Sequence, residues 1–567
     1  MKNIKRLFEL IDKDSKRKFF KIQIYSLFLS IANTLTIYLY AVIVLILGNN
    51  NDFTQNNFFF KKFQEIVKIK DTSDFLTLFL IFVFLYSFII AVSNYFLLKK
   101  TNLFSNNLAA KIQVKILKFF LSLDYSEFIK KDFNKKTSEL IMDTQRLYPI
   151  IQSINQFFFH FYNFVFIIIL FLFISIKITI INVLFLSFVY FLIYKKFKSV
   201  FKFNSGVFSN ISPIMLEVIN NSLQGFRDIK IYNLEEKNLK KLSELNTIFA
   251  NSKSSASTLL AIPRFFVESL FIFLLFLIIQ VNLNYELVTN LFFVLSIFAI
   301  SFAKLIPSFQ NFYLTFSTIK DGSSSLNKIS NIFNENNQNN ISFNKKIYTN
   351  KNKLSFETFE FKNIEFKYKD RYIFKDFNYL IENGDKIFIK GSTGAGKSTF
   401  LDLFTGFLKP SSGEVLLNNQ YQSNFYKLLN LKFVSQNAFL FPGTILENIT
   451  LNSFNDNKIR ENVMQICNNL YLEDLILNEN DLDIDIGDFA NKISGGQKQR
   501  ILIARAIFSK PEILILDESL NAIDTGKKLK ILEYILKLNK NMTLLYVSHD
   551  DYNENFNKKI DLDDKNI

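Results

Sequence analysis

The 567-residue sequence is poor in several residue types on which other classes of protein depend. It contains one cysteine, Cys467, so no disulfide can form within the chain. Tryptophan is absent, and only two histidines, His160 and His549, occur. A cleavable signal peptide is not expected either, because residues 1–21 are polar and basic and the apolar run that follows is too long for a signal core.

Hydrophobic residues make up 49% of the sequence and are concentrated in its first 310 positions. This asymmetry indicates a membrane-embedded half followed by a soluble half. The formal charge of +16 has two interpretations. It is typical of nucleic-acid binding, but Lys and Arg also accumulate in the cytoplasmic segments of membrane proteins. The long apolar runs favour the membrane interpretation, and no nucleic-acid partner is predicted.

Six apolar runs are long enough to cross a bilayer, whose hydrocarbon core of about 30 Å requires about 20 helical residues. They cover residues 22–47, 75–98, 150–176, 179–197, 259–281 and 287–309. The connections after the third and fifth runs are short, whereas the N-terminus and the other two inner connections are rich in lysine. The positive-inside rule therefore predicts a multi-pass protein of the cytoplasmic membrane with both termini in the cytoplasm.

Three segments between the apolar runs carry helical patterns of their own. Residues 108–121 and 215–245 keep helical periodicity, which predicts cytoplasmic extensions of the membrane helices. Residues 59–67 place apolar side chains on one helical face, as expected for a helix in the outer interface or for a loop helix packed on the protein.

The second half changes character after a polar segment rich in Asn and Ser. We predict a transmembrane domain at 1–330, a linker at 331–353 and an α/β domain at 354–567, in which short β-rich segments alternate with helices. The predicted fold is thus an all-α six-helix domain followed by an α/β domain.

Residues 391–398 read GSTGAGKS and match the P-loop pattern, with a β-like run before them and a helical run after them. Glycines at these positions let backbone amides surround phosphates, while the lysine neutralises the β and γ oxygens and the serine ligates Mg²⁺. ATP and Mg²⁺ are therefore the predicted cofactors. The predicted nucleotide-binding residues are Gly391, Ser392, Thr393, Gly394, Ala395, Gly396, Lys397, Ser398 and Thr399.

The apolar run 513–516 ends in Asp517 and Glu518. An apolar strand that ends in two acids is a weak signal alone, but downstream of a P-loop it indicates a Walker B motif. Asp517 is then the residue of the Mg²⁺ shell, and Glu518 is placed to polarise the attacking water.

Residues 493–500 read ISGGQKQR, which resembles the signature sequence of the ABC ATPases. The resemblance implies that this corner contacts the γ-phosphate of an ATP held by the P-loop of a second ATPase domain. Its residues are Ser494, Gly495, Gly496 and Gln497. One chain supplies one such domain, so the resemblance implies a dimer, formed with a second copy or with a paired half-transporter.

The other ABC positions follow from the same resemblance. Tyr368 matches the aromatic residue that stacks on adenine, and Gln436 matches the Q-loop glutamine that reaches Mg²⁺ and the water. Asp524 matches the D-loop aspartate that crosses to the partner, although Asn521 stands where this loop usually has serine. His549 matches the switch histidine that contacts the γ-phosphate.

The membrane half resembles ABC exporters of type IV, with residues 124–142 and 223–236 similar to their two coupling regions. Residues 262–268 and 302–308 are similar to segments of bacterial flippases that move lipid-linked oligosaccharides. That resemblance implies that Arg264 and Lys304 attract a pyrophosphate head group. Alternatively, Arg264 pairs with Glu268 at spacing i to i+4, and Lys304 extends to an interface.

Two functional alternatives remain open at this point. Within the same architecture, the chain exports peptides or lipophilic compounds instead of a lipid-linked substrate. In a different class, it is a soluble type of ABC ATPase that acts on nucleic acid or ribosomes, which the six apolar runs argue against.

Overall fold

The apolar runs of the first half form long helices in the computed structural model. The structure describes residues 8–9, 11–47, 72–130, 132–174, 176–285, 291–338, 354–368, 371–421, 425–436, 438–451, 456–487, 492–549 and 556–563. Contacts divide the chain into two units. One comprises Met1–Leu123 and Phe128–Asn344, and the other comprises Asp124–Glu127 and Lys345–Ile567.

Helices make up the first unit as far as it is described. Its long helices are α1 (Lys13–Leu47), α2 (Thr72–Ser122), α5 (Leu147–Ile174), α6 (Ile176–Gln224), α8 (Glu235–Tyr285), α9 (Leu291–Asp321) and α10 (Ser323–Gln338). The short helices are α3 (Tyr125–Lys130), whose first three residues belong to the second unit, α4 (Phe133–Ser138), which a π-helical turn (Glu139–Asp143) follows, and α7 (Phe226–Ile231). Rows of apolar residues on facing helices bury each other, and the contacts form two main clusters.

Five helical segments in the described part of the chain are long and apolar enough to cross a membrane. They are Lys13–Tyr40, Thr77–Ser122, Phe133–Phe173, Thr179–Gln224 and Glu235–Phe273, and each overlaps one of the first five predicted runs. The sixth predicted run, 287–309, falls mainly on α9, where many side chains lie outside the described residues. The predicted amphipathic segment 59–67 also lies outside them.

Of the two predicted helical extensions, the structure contains one as predicted and breaks the other. Residues 108–121 lie within α2, which confirms the first extension. An unbroken helix over 215–245 is wrong, because the chain leaves helical geometry at Gly225 and again at Asn233. Asn233 has a φ of 54°, in the left-handed region that asparagine tolerates better than most residues.

Helix α10 extends eight residues past position 330, where the sequence places the domain boundary. Its apolar side chains Leu326, Ile329 and Ile332 are buried. The start of the helix is anchored by Ser325, whose hydroxyl donates to the Asp143 carboxylate at 2.5 Å. Amphipathic burial therefore continues the helix into this polar stretch, and residues 339–353 lie outside the described part of the chain.

The second unit contains two sheets. The antiparallel sheet has the order β2-β1-β4-β5, and the parallel sheet has the order β6-β7-β8-β3-β9. The strands are β1 (Thr358–Tyr368), β2 (Arg371–Glu382), β3 (Lys386–Lys390), β4 (Ser412–Leu417), β5 (Gln420–Tyr421), β6 (Leu431–Val434), β7 (Ile513–Asp517), β8 (Thr543–Val547) and β9 (Lys558–Asp561). The helices are α11 (Lys397–Thr405), α12 (Phe425–Leu428), α13 (Ile445–Thr450), α14 (Asn457–Asn469), α15 (Gly495–Phe508) and α16 (Thr525–Leu538).

The parallel sheet determines where functional side chains meet. Its central strands are largely apolar and buried on both faces, as the burial of residues 513–516 and 543–547 shows. Parallel strands bring their carboxyl ends to one edge of the sheet, and ligand sites of open α/β sheets form outside that edge. The segments that follow β3, β6, β7, β8 and β9 therefore lie close together.

Residues Asp124–Glu127 cluster with the second unit, although their neighbours on both sides belong to the first. The ring of Tyr125 packs against that of Phe407, with centroids 4.7 Å apart. Burial, and then the charge of Asp402, raise the pKa of the Tyr125 hydroxyl. This four-residue segment lies at the start of the first predicted coupling region.

Candidate nucleotide-binding site

The P-loop connects β3 to α11, as its sequence context predicts. Gly394 and Gly396 have φ values of 89° and 105°, which side-chain-bearing residues rarely adopt. A Cβ atom on Gly396 would also lie 2.6 Å from the Cγ2 atom of Ile373. The loop therefore requires glycine, and it ends in the first turn of α11, whose backbone N–H groups have no partner within the helix. Such an arrangement binds phosphate.

Lys397 is buried, and its ammonium group points back into the loop. Its Nζ atom donates to the carbonyl oxygen of Gly391 at 2.7 Å. The same atom lies 3.2 Å from His549 Nε2 and 3.9 Å from Glu518 Oε1. One cation thus connects the P-loop to the ends of β7 and β8.

Glu518 follows β7 in a left-handed conformation, with a φ of 49°. Its backbone N–H donates to the carbonyl of Val547 at 3.1 Å, which holds the residue against the neighbouring strand β8. A non-glycine residue in this region of φ and ψ is uncommon and costs free energy. The constrained backbone directs the carboxylate towards the loops at the sheet edge.

Side chains from three loops contact the Glu518 carboxylate. Oε1 lies 3.0 Å from His549 Nε2, and Oε2 accepts a hydrogen bond from Gln436 Nε2 at 2.9 Å. Asn521, the residue that departs from the usual D-loop, also donates to Oε2, at 3.3 Å. The structure therefore brings two sequence-predicted residues, His549 and Gln436, onto the carboxylate of a third, Glu518.

Negative charge is concentrated near this carboxylate. Burial, and then the neighbouring charge of Glu518, raise the pKa of Asp517 to about 6, although Lys397 opposes the shift. Burial, and then Asp517, raise the pKa of Asp402 to about 6 as well. Asp517 and Glu518 share one lysine and Asp402 adds a third carboxyl group beside Asp517, so a bound cation would stabilise the negative charge here.

These carboxyl groups are compatible with a Mg²⁺ ion that binds together with nucleotide phosphates. Within the described ranges, no group of three His, Cys, Asp or Glu side chains is arranged to hold a metal ion. Mg²⁺ does not require such a cage, since it keeps several waters and uses one or two carboxylates together with substrate phosphates. Asp517 is one suitable ligand, and the exposed hydroxyl of Ser398 at the start of α11 is another.

The signature residues form the N-terminus of α15. Ser494 is its N-cap: the Ser494 hydroxyl accepts from the Gln497 backbone N–H at 3.2 Å, and the Gln497 side-chain oxygen accepts from the Ser494 N–H at 2.8 Å. This reciprocal capping box satisfies two backbone donors of the helix. Gln497 also donates to Asp474, whose carboxylate receives two hydrogen bonds of 3.0 Å from Arg500.

The signature helix packs closely against the D-loop of its own chain. A Cβ atom on Gly496 would lie 2.8 Å from the carbonyl oxygen of Ala522, so glycine is needed there for packing. The Gln499 side chain accepts from the Ala522 N–H at 3.0 Å. Asp524, two residues further along, is exposed at the N-terminus of α16.

Sequence reasoning missed one residue at this edge, Asp563. Its carboxylate accepts the Ser392 backbone N–H at 2.7 Å and the Ser392 hydroxyl at 2.6 Å. These hydrogen bonds hold the pKa of Asp563 below its usual value. The contact arises because β9 pairs with β3, which places the segment after β9 beside the P-loop. An acidic residue just after a terminal β-strand was the available signal.

The comparisons with known proteins agree with this geometry. Residues 374–521 match the ABC transporter family model, a stretch that contains the P-loop, the signature and the Walker B motif. The chain belongs to the ABC transporter family. Its fold is that of an ABC exporter, because it superposes on a bacterial Atm1-family exporter with ATP bound. That match has a TM-score of 0.72 and 18% identity, and covers 95% of this chain and 92% of the other.

Two curated relatives of this ABC transporter extend into the membrane half. The ATP-dependent lipid A-core flippase of Wigglesworthia glossinidia brevipalpis is 28% identical over 380 residues, which are 65% of this chain and 63% of the flippase. The lactococcin-G-processing and transport protein of Lactococcus lactis is 26% identical over 500 residues, which are 85% of this chain and 68% of that protein. This chain, which spans 63% of the length of the flippase, is thus similar in both of its halves to members of the ABC transporter family.

The structure gives the remaining predicted residues other neighbours. Tyr368, the last residue of β1, is 51% exposed and packs its ring against Phe366. In the helical unit of the transporter, Arg264 pairs with Glu268 on the same helix at 2.8 Å, the first alternative that the sequence left open. Lys304 lines a cavity between helices.

Proposed function

We propose that this half-transporter binds ATP and Mg²⁺ between two nucleotide-binding domains and hydrolyses the ATP to move a lipid-linked or amphipathic substrate across the cytoplasmic membrane. The observation that carries the proposal is the Glu518 carboxylate, held by His549 and Gln436 beside Lys397. A carboxylate in this position accepts the proton of an attacking water. The P-loop amides and Lys397 hold the phosphates that the water attacks.

The other site residues have distinct roles in this proposal. Asp517 and Ser398 hold Mg²⁺, with Gln436 beside it, and the ion neutralises charge on the β and γ oxygens. Tyr368 stacks on adenine with its exposed ring. His549 donates to the γ-phosphate and orients Glu518, which it contacts at 3.0 Å.

The proposal requires a dimer. Among the residues that the structure describes, no hydrogen bond joins the signature corner 494–497 to the P-loop residues 391–399 of the same chain. The polar atoms of Ser494 and Gln497 are also partly engaged within the capping box. We therefore assign the corner to a nucleotide held by a second domain, from another copy of this chain or from a paired half-transporter. Asp524 crosses to the same partner.

A lipid-linked oligosaccharide is the substrate that we favour. One of the relatives is, by its name, an ATP-dependent flippase of lipid A-core. Lys304 offers a positive charge on a cavity in the membrane half, and Arg264 is exposed on the same unit. Export of a peptide is the alternative, and the lactococcin-G transporter among the relatives is the observation that favours it.

Transport in proteoliposomes tests the proposal. The chain is reconstituted with Mg-ATP and either a fluorescent lipid-linked oligosaccharide or a fluorescent peptide, and movement across the bilayer is followed. We expect ATP-dependent movement of the oligosaccharide, its loss in Glu518→Gln, and its reduction in the double variant Arg264→Gln, Lys304→Gln. Movement of the peptide alone would replace the favoured substrate with the alternative. Substrate movement without ATP would contradict the proposal.

A further inference from the structure

Side chains outside the signature corner, residues 494–497, hold that corner in place. Within the corner, Gln497 has two partners at once. Its side-chain oxygen accepts from the Ser494 backbone N–H at 2.8 Å, and its side-chain nitrogen donates to Asp474 Oδ2 at 3.1 Å. An ionised carboxylate only accepts hydrogen bonds. Asp474 therefore determines which end of the Gln497 amide faces the helix terminus, and the capping box depends on that orientation.

Arg500 connects the same carboxylate to the backbone of the corner. Its guanidinium is buried, and the Nη1 and Nη2 atoms each donate to one oxygen of Asp474, both at 3.0 Å. The Nε atom donates to the carbonyl oxygen of Gly496 at 3.3 Å. A bidentate pair of this kind adds geometric specificity to its strength. Asp474 thus reaches the corner by two routes, one through Gln497 and one through Arg500.

The segment that carries Asp474 is anchored on both sides. It follows α14 and turns at Tyr471, whose φ of 57° lies in the left-handed region and whose carbonyl also accepts from Arg500. The side chains of Leu472 and Ile476 are buried in the core. The backbone N–H of Ile476 donates to the carbonyl of Leu472 at 2.9 Å, which closes a turn around Asp474. The position of this aspartate is therefore set by the core of the domain.

Asp474 is negatively charged at neutral pH. Burial raises the pKa of its carboxyl group, but the hydrogen bonds and the charge of Arg500 outweigh burial and hold the pKa below its usual value. The Arg500 guanidinium is buried, so it depends on this carboxylate as its charged partner. A buried charge that loses its partner is costly. Removal of the carboxylate would therefore displace Arg500 and the backbone that it holds.

We propose that Asp474 is a positioning residue for the signature corner, which it orients through Gln497 and Arg500 towards a nucleotide held by the partner domain. The proposal rests on the proposed function and adds a residue that acts in trans, on the ATP in the P-loop of the other chain. Asp474 meets Gln497 across 23 positions of the sequence. It acts through other residues and takes no part in the chemistry itself.

Steady-state ATPase kinetics test the role of Asp474 first. Asp474→Ala should lower kcat by about tenfold, because charge-assisted hydrogen bonds are lost. The Kd of a fluorescent ATP analogue, measured without Mg²⁺, should stay the same, since the contacts of the P-loop in the same chain are unchanged. Asp474→Asn keeps the shape and one oxygen and should retain intermediate activity. Glu473→Ala removes a neighbouring exposed acid and should leave kcat unchanged.

Mixed dimers distinguish action in trans from a loss of stability. Chains with two different tags are co-expressed and purified through both tags, and each dimer carries one Lys397→Ala and one Asp474→Ala. When the changes lie in opposite chains, both faults fall on one composite site and the other site is intact. When they lie in the same chain, each site has one fault.

We expect the dimer with changes in opposite chains to hydrolyse ATP at the rate of a dimer that carries only one Lys397→Ala. The dimer with both changes in one chain should be slower by about tenfold, because its one intact P-loop faces a misplaced corner.

Three outcomes overturn the proposal: an unchanged kcat in Asp474→Ala, equal rates of the two mixed dimers, or a higher rate when both changes lie in one chain. Equal rates would mean that Asp474 only stabilises the domain, and the reversed order that it acts on the P-loop of its own chain. If Asp474→Ala does not fold, Asp474→Asn replaces it in both assays with the same criteria. If the two tags do not copurify, a dimer of identical chains is absent from the proposed function, and the kcat comparison alone decides on Asp474.

Discussion

The Oε1 atom of Glu518 lies 3.0 Å from the Nε2 atom of His549, and this contact joins the loops that follow β7 and β8. Gln436, from the loop after β6, holds the other carboxylate oxygen at 2.9 Å. The orientation of Glu518 therefore depends on two neighbouring strands of the parallel sheet. A residue that positions a general base affects turnover more than it affects nucleotide binding.

His549→Ala should lower kcat for ATP hydrolysis by roughly two orders of magnitude, the usual scale of one positioned proton-transfer group. The reason is that Glu518 loses the partner that orients it. His549→Gln keeps a side-chain N–H and should retain more activity than the alanine variant. The rate of phosphate release at saturating Mg-ATP measures kcat for both variants. Equal kcat values for His549→Ala and the unmodified chain would show that this contact does not orient Glu518 for catalysis.

Ser392 and Asp563 should act as one unit in positioning the P-loop. Asp563→Ala removes both hydrogen bonds to Ser392, and Ser392→Ala removes the one that its hydroxyl donates, so each should raise the KM for ATP, by several-fold for Asp563→Ala. The double variant should be no worse than the single ones, because residues in direct contact are not additive. Steady-state ATPase kinetics of the four proteins test this. Independent, additive effects would show that the contact has no functional coupling.

Asp402 should make stability depend on pH. Its pKa in the folded chain, about 6, lies above the usual value of 3.8 for an aspartate. The folded state therefore binds the proton more tightly, so the stabilising contribution is complete below about pH 4 and is lost as pH rises through 6. Asp402→Asn removes this loss of stability, so the Tm of the variant should exceed that of the unmodified chain at pH 7.5 without nucleotide. The difference should disappear as the pH falls below about 4.

A matched control uses Glu533, whose carboxylate is more than half exposed on α16. Glu533→Gln should show the same Tm difference from the unmodified chain at both pH values. A constant difference for Asp402→Asn as well would mean that burial of this carboxyl group does not influence stability.

Cys467 should be unreactive in the folded protein. Its side chain is fully buried between α14 and the core of the second unit, and burial raises the pKa of its thiol to about 12. The thiolate is the reactive species, and it is almost absent at pH 7.5. A maleimide should therefore label the chain only in denaturant, as intact mass would show. Stoichiometric labelling of the native protein would contradict the packing of this core.

Local sequence patterns were sufficient for the main chemistry of the site. The P-loop, Asp517 and Glu518 each follow an apolar strand at a fixed spacing, so residue types and strand ends predict them directly. Contacts that depend on strand order were not predictable. Asp563 meets Ser392 across 171 positions because β9 lies beside β3, and no local pattern states that order.

The membrane half also contains features that local sequence patterns did not predict. Helical periodicity predicted the extension at 108–121, but it did not predict the break at Asn233, because a left-handed asparagine leaves the surrounding pattern intact. The spacing of Arg264 and Glu268 did allow the ion pair that the structure contains. That Lys304 shares a cavity with Gln156 depends on the packing of α9 against α5, which a single sequence does not reveal.

The most direct test measures oligomeric state and bound nucleotide together. The full-length Glu518→Gln variant, in lipid nanodiscs with Mg-ATP, is examined for mass and for the identity of its nucleotide, alongside the unmodified chain. We expect dimers that retain unhydrolysed ATP in the variant and turn it over in the unmodified protein. A strictly monomeric chain that hydrolyses ATP at the full rate would contradict it.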